Sequence, residues 1–79
     1  MKQTKEQYVL SLEETLNEAK KELNIKEQEL DWITTQRYLK NTISPEMFER
    51  MNLSISQKIA LIRGLINHAQ RELDLYQQA

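Results

Sequence analysis

Cysteine is absent from this 79-residue chain, and glycine and proline occur only once each. Without cysteine the chain has no disulfide, no thiolate metal ligand and no cysteine nucleophile. One glycine and one proline exclude a turn-rich sandwich or barrel, which needs turn residues every ~8–12 positions. They also exclude a glycine-rich phosphate loop. A membrane-spanning run of about 18–20 apolar residues is missing as well.

The charges are nearly balanced, with 11 Lys and Arg against 12 Asp and Glu and a net charge of −1. This balance provides no bulk attraction to nucleic acid. The first residues lead into a charged amphipathic segment and lack the apolar stretch of a secretory signal, so we expect a cytoplasmic protein. At this length we expect a single domain, residues 1–79.

The strongest break in the chain lies just after its midpoint. Asn41 tolerates the left-handed conformation that often ends a helix. Ser44 suits a helix N-cap, and Pro45 suits the first helical position, where its missing N–H costs nothing. The sequence therefore predicts a helix over about 4–41, a turn over 41–44 and a helix over about 45–77.

Two capping-box patterns bear on the helix boundaries. Thr4 with Gln7 three residues later marks the start of the first helix. Ser54 with Gln57 repeats the pattern inside the second helix. One continuous second helix is the main prediction, and three helices with a break near 52–56 is the alternative.

Apolar residues recur at alternating steps of three and four in both segments, which is helical spacing that a strand cannot produce. This seam comprises Val9, Leu12, Leu16, Ala19, Leu23, Lys26, Leu30 and Ile33, then Phe48, Asn52, Ile55, Ile59, Ile62, Ile66, Ala69, Leu73 and Tyr76. Folding at the turn pairs residues whose numbers sum to about 85, so that Leu16 meets Ala69 and large side chains face small ones. The predicted fold is all-α, an antiparallel hairpin of two long, coiled-coil-like helices.

Several apolar residues lie outside the seam. A stripe almost opposite the first helix's seam contains Ile25, Trp32, Leu39 and Ile43. On the second helix Leu61, Leu65, Met47 and Met51 widen the apolar face, whereas Ala60 and Gly64 form a small-residue patch on the far side. We expect the Trp32 stripe to pack on the Ala60/Gly64 groove of a second copy, giving a homodimeric four-helix bundle. Lys58, within the widened face, is expected to pair with Glu22, Glu27 or Glu29, either of the first helix or of a partner.

No residue pattern indicates catalysis. His68 is the only imidazole, and Ser54, a candidate hydroxyl nucleophile, is fourteen residues away. The carboxylates alternate with lysines as on a solvated helix face, and no Glu-x-x-His motif of a di-metal bundle is present. We therefore predict no enzyme activity, no metal or cofactor and no small-molecule substrate.

The tip of the predicted hairpin carries a small basic and aromatic cluster: Arg37, Tyr38, Lys40 and Arg50. Glu46 and Glu49 nearby offset most of its charge, which leaves too little for phosphate-driven binding. Direct contact with nucleic acid is therefore not expected, although an accessory role at nucleic acid through this tip remains an alternative.

Two segments of the second helix resemble a known family. Arg63-Gly64-Leu65-Ile66 and Arg71-Glu72-Leu73-Asp74-Leu75 are similar to the last helix of the dimerisation domain of PadR-type transcription regulators. Leu75 stands where that family often has tryptophan, and the family's winged helix has no counterpart in these 79 residues. The resemblance implies a two-helix dimerisation unit.

The pattern as a whole favours a small protein–protein interaction module, acting as an adaptor, an inhibitor or a regulatory dimerisation unit. Its expected partners are a second copy and a further protein. Two alternatives from other classes remain: a structural or assembly subunit of a larger complex, and a nucleic-acid accessory or transcription-regulator dimerisation module.

Overall fold

The computed structural model describes residues 4–78, which form two antiparallel helices and no strand. Helix α1 spans Lys5–Tyr38 and helix α2 spans Pro45–Gln78. The predicted hairpin is therefore confirmed. Helix α2 runs without a break through residues 52–56, so the three-helix alternative is wrong.

Side chains define both helix starts, as the sequence predicts. The Thr4 hydroxyl accepts a hydrogen bond from the Gln7 backbone N–H, and the Gln7 side chain accepts one from the Thr4 N–H, both at 3.1 Å. At α2 the Ser44 hydroxyl accepts from the Met47 N–H at 3.1 Å. These bonds satisfy backbone N–H groups that have no partner within the helix.

The turn is longer than predicted, because α1 ends at Tyr38 rather than near residue 41. The Lys40 N–H donates to the Thr35 carbonyl at 3.1 Å, and the Thr42 N–H donates to the Gln36 carbonyl at 2.9 Å. These bonds satisfy the last carbonyls of the helix. Asn41 has a φ of 53°, the left-handed conformation expected of it. Residues 39–44, called the tip below, reverse the chain.

The core follows the predicted seam. Every seam residue is buried or half-buried. Two buried clusters lie along it: Leu12, Leu16, Ala69 and Leu73 towards the chain ends, and Ile33, Ile55 and Ile59 towards the tip. Between them Leu23 and Ile62 are only half-buried. The packing is thus tightest at two separate levels of the hairpin.

The hairpin is a thin plate with principal extents of 53 × 22 × 16 Å. Its two helices form one layer, so each helix packs against a single neighbour. Neither described helix has an apolar stretch that is long enough to cross a membrane. A single layer leaves both broad sides of the plate open to other molecules.

Candidate protein-interaction surface

Contacts between the helices distinguish the two broad sides of the plate. On one side the Arg63 guanidinium lies 3.5 Å from the Glu27 carboxylate, and we call this the salt-bridge side. On the other side Thr15, Glu22 and Leu65 line a groove between the helices, and we call this the groove side. Glu22 and Glu27 are about 140° apart around α1, which places them on opposite broad sides.

The groove side carries the Trp32 stripe. Ile25 lies about 60° around α1 from Glu22 and about 160° from Glu27, and Trp32 follows seven residues later at the same angle. Ile25 is 46% exposed and Trp32 is 56% exposed. Leu39, at the end of α1, continues the stripe and is also exposed. The structure thus leaves these three side chains outside the core, as predicted.

Helix α2 adds apolar side chains to the same side. Leu61 is about 160° around α2 from Arg63, and it is 75% exposed. Leu65, which lines the groove, is 46% exposed. Met47 and Leu75 are exposed at the same angular position as Leu61. The exposed apolar residues of the two helices therefore share one broad side of the plate.

One residue of the predicted interaction set, Ile43, differs in burial from the prediction. Ile43 is half-buried and packs against the Ile33, Ile55 and Ile59 cluster, so its place in the exposed stripe is a wrong prediction. The reason is that α1 ends at Tyr38, after which the chain turns inward. Gly64 is exposed, and a Cβ built there would have open space around it.

Ala60 and Gly64 do not share a broad side with the Trp32 stripe. Ala60 lies about 60° around α2 from Arg63, and Gly64 lies on the outer edge of α2. Both are exposed. In one hairpin the stripe and the small-residue patch therefore lie on different surfaces. If the Trp32 stripe of one copy packed on the Ala60/Gly64 patch of another, the two copies would have to use different surfaces in the contact.

Charge divides the groove side lengthwise. The α1 half carries Glu18, Glu22 and Glu29, and the α2 half carries Lys58 and Glu72. Over whole helices, α1 has five Lys and Arg against eight Asp and Glu, a balance of −3, whereas α2 has four of each. The groove side is therefore acidic along one helix and close to neutral along the other.

Two ion pairs form among the described side chains. The Lys26 ammonium donates to the Glu29 carboxylate at 3.3 Å, and Arg63 pairs with Glu27. Among residues 4–77 the Lys58 ammonium has no carboxylate within 4.0 Å, so its predicted pairing within one chain is wrong. Lys58 is exposed on the groove side. It remains available to a carboxylate of another molecule.

Of the basic and aromatic cluster predicted at this end of the hairpin, Arg37 and Tyr38 lie against each other. The Tyr38 ring packs edge-on against Phe48 with centroids 5.5 Å apart, and the Arg37 guanidinium lies 5.3 Å from the Tyr38 ring centroid. Lys40 and Arg50 are exposed, and Glu46 lies beside Arg50. Stacking within the hairpin thus occupies the only aromatic side chain of this cluster.

An aromatic pair that is not among the predicted site residues lies at the end of the hairpin opposite the tip. The Tyr8 and Tyr76 rings pack edge-on at 5.1 Å, and the Lys5 ammonium lies 5.9 Å from the Tyr76 ring centroid. The residue numbers 8 and 76 agree with the pairing sum of about 85, so the predicted register is sufficient to place Tyr8 beside Tyr76. Partial burial, and next the Glu72 carboxylate beside it, raise the pKa of Tyr8 above its ordinary 10.0.

The raised pKa of Tyr8 predicts a loss of stability in alkali. Because the folded state holds this proton more tightly than the unfolded state, the contribution is fully present below pH 10 and is lost as pH rises through the folded pKa. Urea unfolding of wild type and Tyr8→Phe at several pH values tests this. We expect the stability difference between them to change above pH 10. The exposed Tyr38, replaced by Phe, is the control, and an identical pH profile for both variants would contradict the prediction.

Within the part of the chain that the structure describes, no three His, Asp or Glu side chains are grouped so that they could hold a metal ion. His68 is exposed on α2. Comparisons of the chain with protein-family models, curated proteins and solved structures find no match. The proposals below therefore depend on the geometry of the hairpin alone.

Proposed function

We propose that this hairpin is a non-enzymatic, cytoplasmic protein–protein interaction module that binds its partner through the groove side. It would act as an adaptor, an inhibitor or a regulatory dimerisation unit. The observation that supports this proposal is the exposure of Ile25, Trp32, Leu61 and Leu65 on one broad side. Several large apolar side chains exposed on one side of a small protein are typical of an interaction site.

The composition of the surface fits a binding role. Tryptophan is enriched among the residues that dominate binding energy, and it lies among aliphatic side chains here. Burying an exposed Leu or Trp side chain contributes roughly 1.5–3 kcal/mol. Glu18, Glu22 and Lys58 surround the apolar residues with charges that can select a partner.

Site-specific photocrosslinking tests the proposal with a matched control. A benzophenone amino acid replaces Leu61 on the groove side or Leu53, which is 60% exposed nearer the salt-bridge side of the same helix. After irradiation in cells that produce the protein, we expect discrete protein adducts from position 61 and far fewer from position 53. Trp32→Ala should reduce the adducts from position 61. Equal yields from both positions, or none from either, would contradict the proposal.

A further inference from the structure

We infer that the partner on the groove side is the same side of a second copy of this chain, related by a two-fold axis parallel to the helices. The two tips then lie at the same end of the dimer, and α1 of each copy lies over α2 of the other. This inference rests on the proposed function and names its partner. Three features of the hairpin support it.

The first feature is that the hairpin is half of a usual domain. Its smallest extent is 16 Å, one layer of helices, whereas domains bury their apolar faces between two layers. A broad side of 53 × 22 Å offers about 1,200 Å², more than the roughly 800 Å² per partner of a stable interface. Two groove sides placed together form a four-helix bundle of ordinary thickness.

The second feature is the position of the exposed apolar residues along the plate. Most of them lie in the half nearer the tip. The pairing sum puts Ile25 level with Leu61 and Leu39 level with Met47. With the tips at the same end, Ile25 of each copy faces Leu61 of the other, and Leu39 faces Met47. An axis across the helices would instead place Ile25 near Glu18.

The third feature is charge complementarity. With the axis parallel to the helices, the acidic groove side of α1 lies over the nearly neutral α2 of the other copy, and Glu29 approaches Lys58 of the partner subunit. With the axis across the helices, α1 lies on α1 and Glu22 meets its own copy. Like charges placed opposite each other disfavour that arrangement.

Spin-label distances test the geometry, because a chain without cysteine accepts one label at a chosen site. Lys40→Cys labels the exposed tip, and Gln77→Cys labels the exposed end of α2. In the proposed dimer the two labels at position 40 lie within about 30 Å, whereas a label at 40 and one at 77 of the other copy lie roughly 50 Å apart. An axis across the helices reverses these two results. Circular dichroism shows whether each labelled variant keeps its helices.

Each outcome decides between the proposals. A dimer with the short 40–40 distance, and a photocrosslinked adduct from position 61 of twice 9.4 kDa, supports the inference. A dimer with a 40–40 distance of about 50 Å overturns it. A monomer whose position 61 crosslinks to a different protein also overturns it but leaves the proposed function standing. A monomer with no adduct overturns both.

Discussion

The Ile33→Ala hairpin is expected to be largely unfolded at room temperature. Ile33 is the largest fully buried side chain of the described residues, at 1% exposure, and it packs with Ile55 and Ile59. Truncating a buried isoleucine to alanine costs about 2–5 kcal/mol, because apolar contact is lost and a cavity remains. Since small domains are stable by only about 5 kcal/mol or less, this one change removes much of the total. Far-ultraviolet circular dichroism during urea unfolding measures the loss.

Leu10→Ala is the matched control for this prediction. Leu10 lies on the same helix and loses a similar volume, but its side chain is exposed. We expect its urea midpoint to stay close to that of the wild type. If Ile33→Ala and Leu10→Ala shift the midpoint equally, the core does not lie where the structure places it.

The second large effect concerns association. Leu61→Glu is expected to weaken the dimer by at least about 100-fold while the helices remain intact. Leu61 is 75% exposed in a single hairpin, so the glutamate costs the monomer little. In the dimer it would lie against Ile25 and near Glu22 of the partner subunit, where an uncompensated charge is buried. Sedimentation velocity over a concentration series measures the change.

Leu53→Glu makes the same chemical change on the same helix, away from the groove side. We expect it to leave the association constant unchanged, because Leu53 lies about 120° around α2 from Leu65. If both variants dissociate the dimer, charge in general and not the groove side controls association. If neither does, the interface lies on another surface.

The register and core of the hairpin were predictable from residue spacing. A seam of apolar residues at steps of three and four is typical of a helix with one buried stripe. Asn41 to Pro45 mark the one place where the chain can reverse direction between two such helices. Leu16 and Ala69 then meet because they lie equally far from the turn. The burial of Leu12 and Leu73, with every other seam residue buried or half-buried, confirms that reasoning.

The residue at which α1 ends was not predictable from residue spacing. Periodicity in apolar residues continues through Leu39 and Ile43, but backbone hydrogen bonds end the helix at Tyr38. Those bonds depend on how Thr35 and Gln36 present their carbonyls to the turn. The spacing of the outer stripe extends to Ile43, whereas the chain turns after Tyr38 so that Ile43 packs against the Ile33, Ile55 and Ile59 cluster.

Residue spacing alone also does not predict that Trp32 and Leu61 lie on the same broad side of the plate. Spacing on one helix gives the angle of Trp32 or Leu61 relative to its own seam. Which of these faces adjoin depends on the antiparallel packing of α1 on α2, as the contacts of Glu27 with Arg63 and of Glu22 with Leu65 show. The small side chains of Ala60 and Gly64 predict close packing by another helix, but nothing in the hairpin packs closely on Gly64.

Sedimentation equilibrium over a concentration series, with Trp32 fluorescence recorded on the same samples, tests most directly whether the groove side is an interface. Trp32 is the only tryptophan, so its emission reports on this surface alone. We predict a mass that approaches twice 9.4 kDa and an emission maximum that shifts to shorter wavelength as the dimer forms. A dimer whose Trp32 emission remains that of a water-exposed indole would contradict the assignment of this surface.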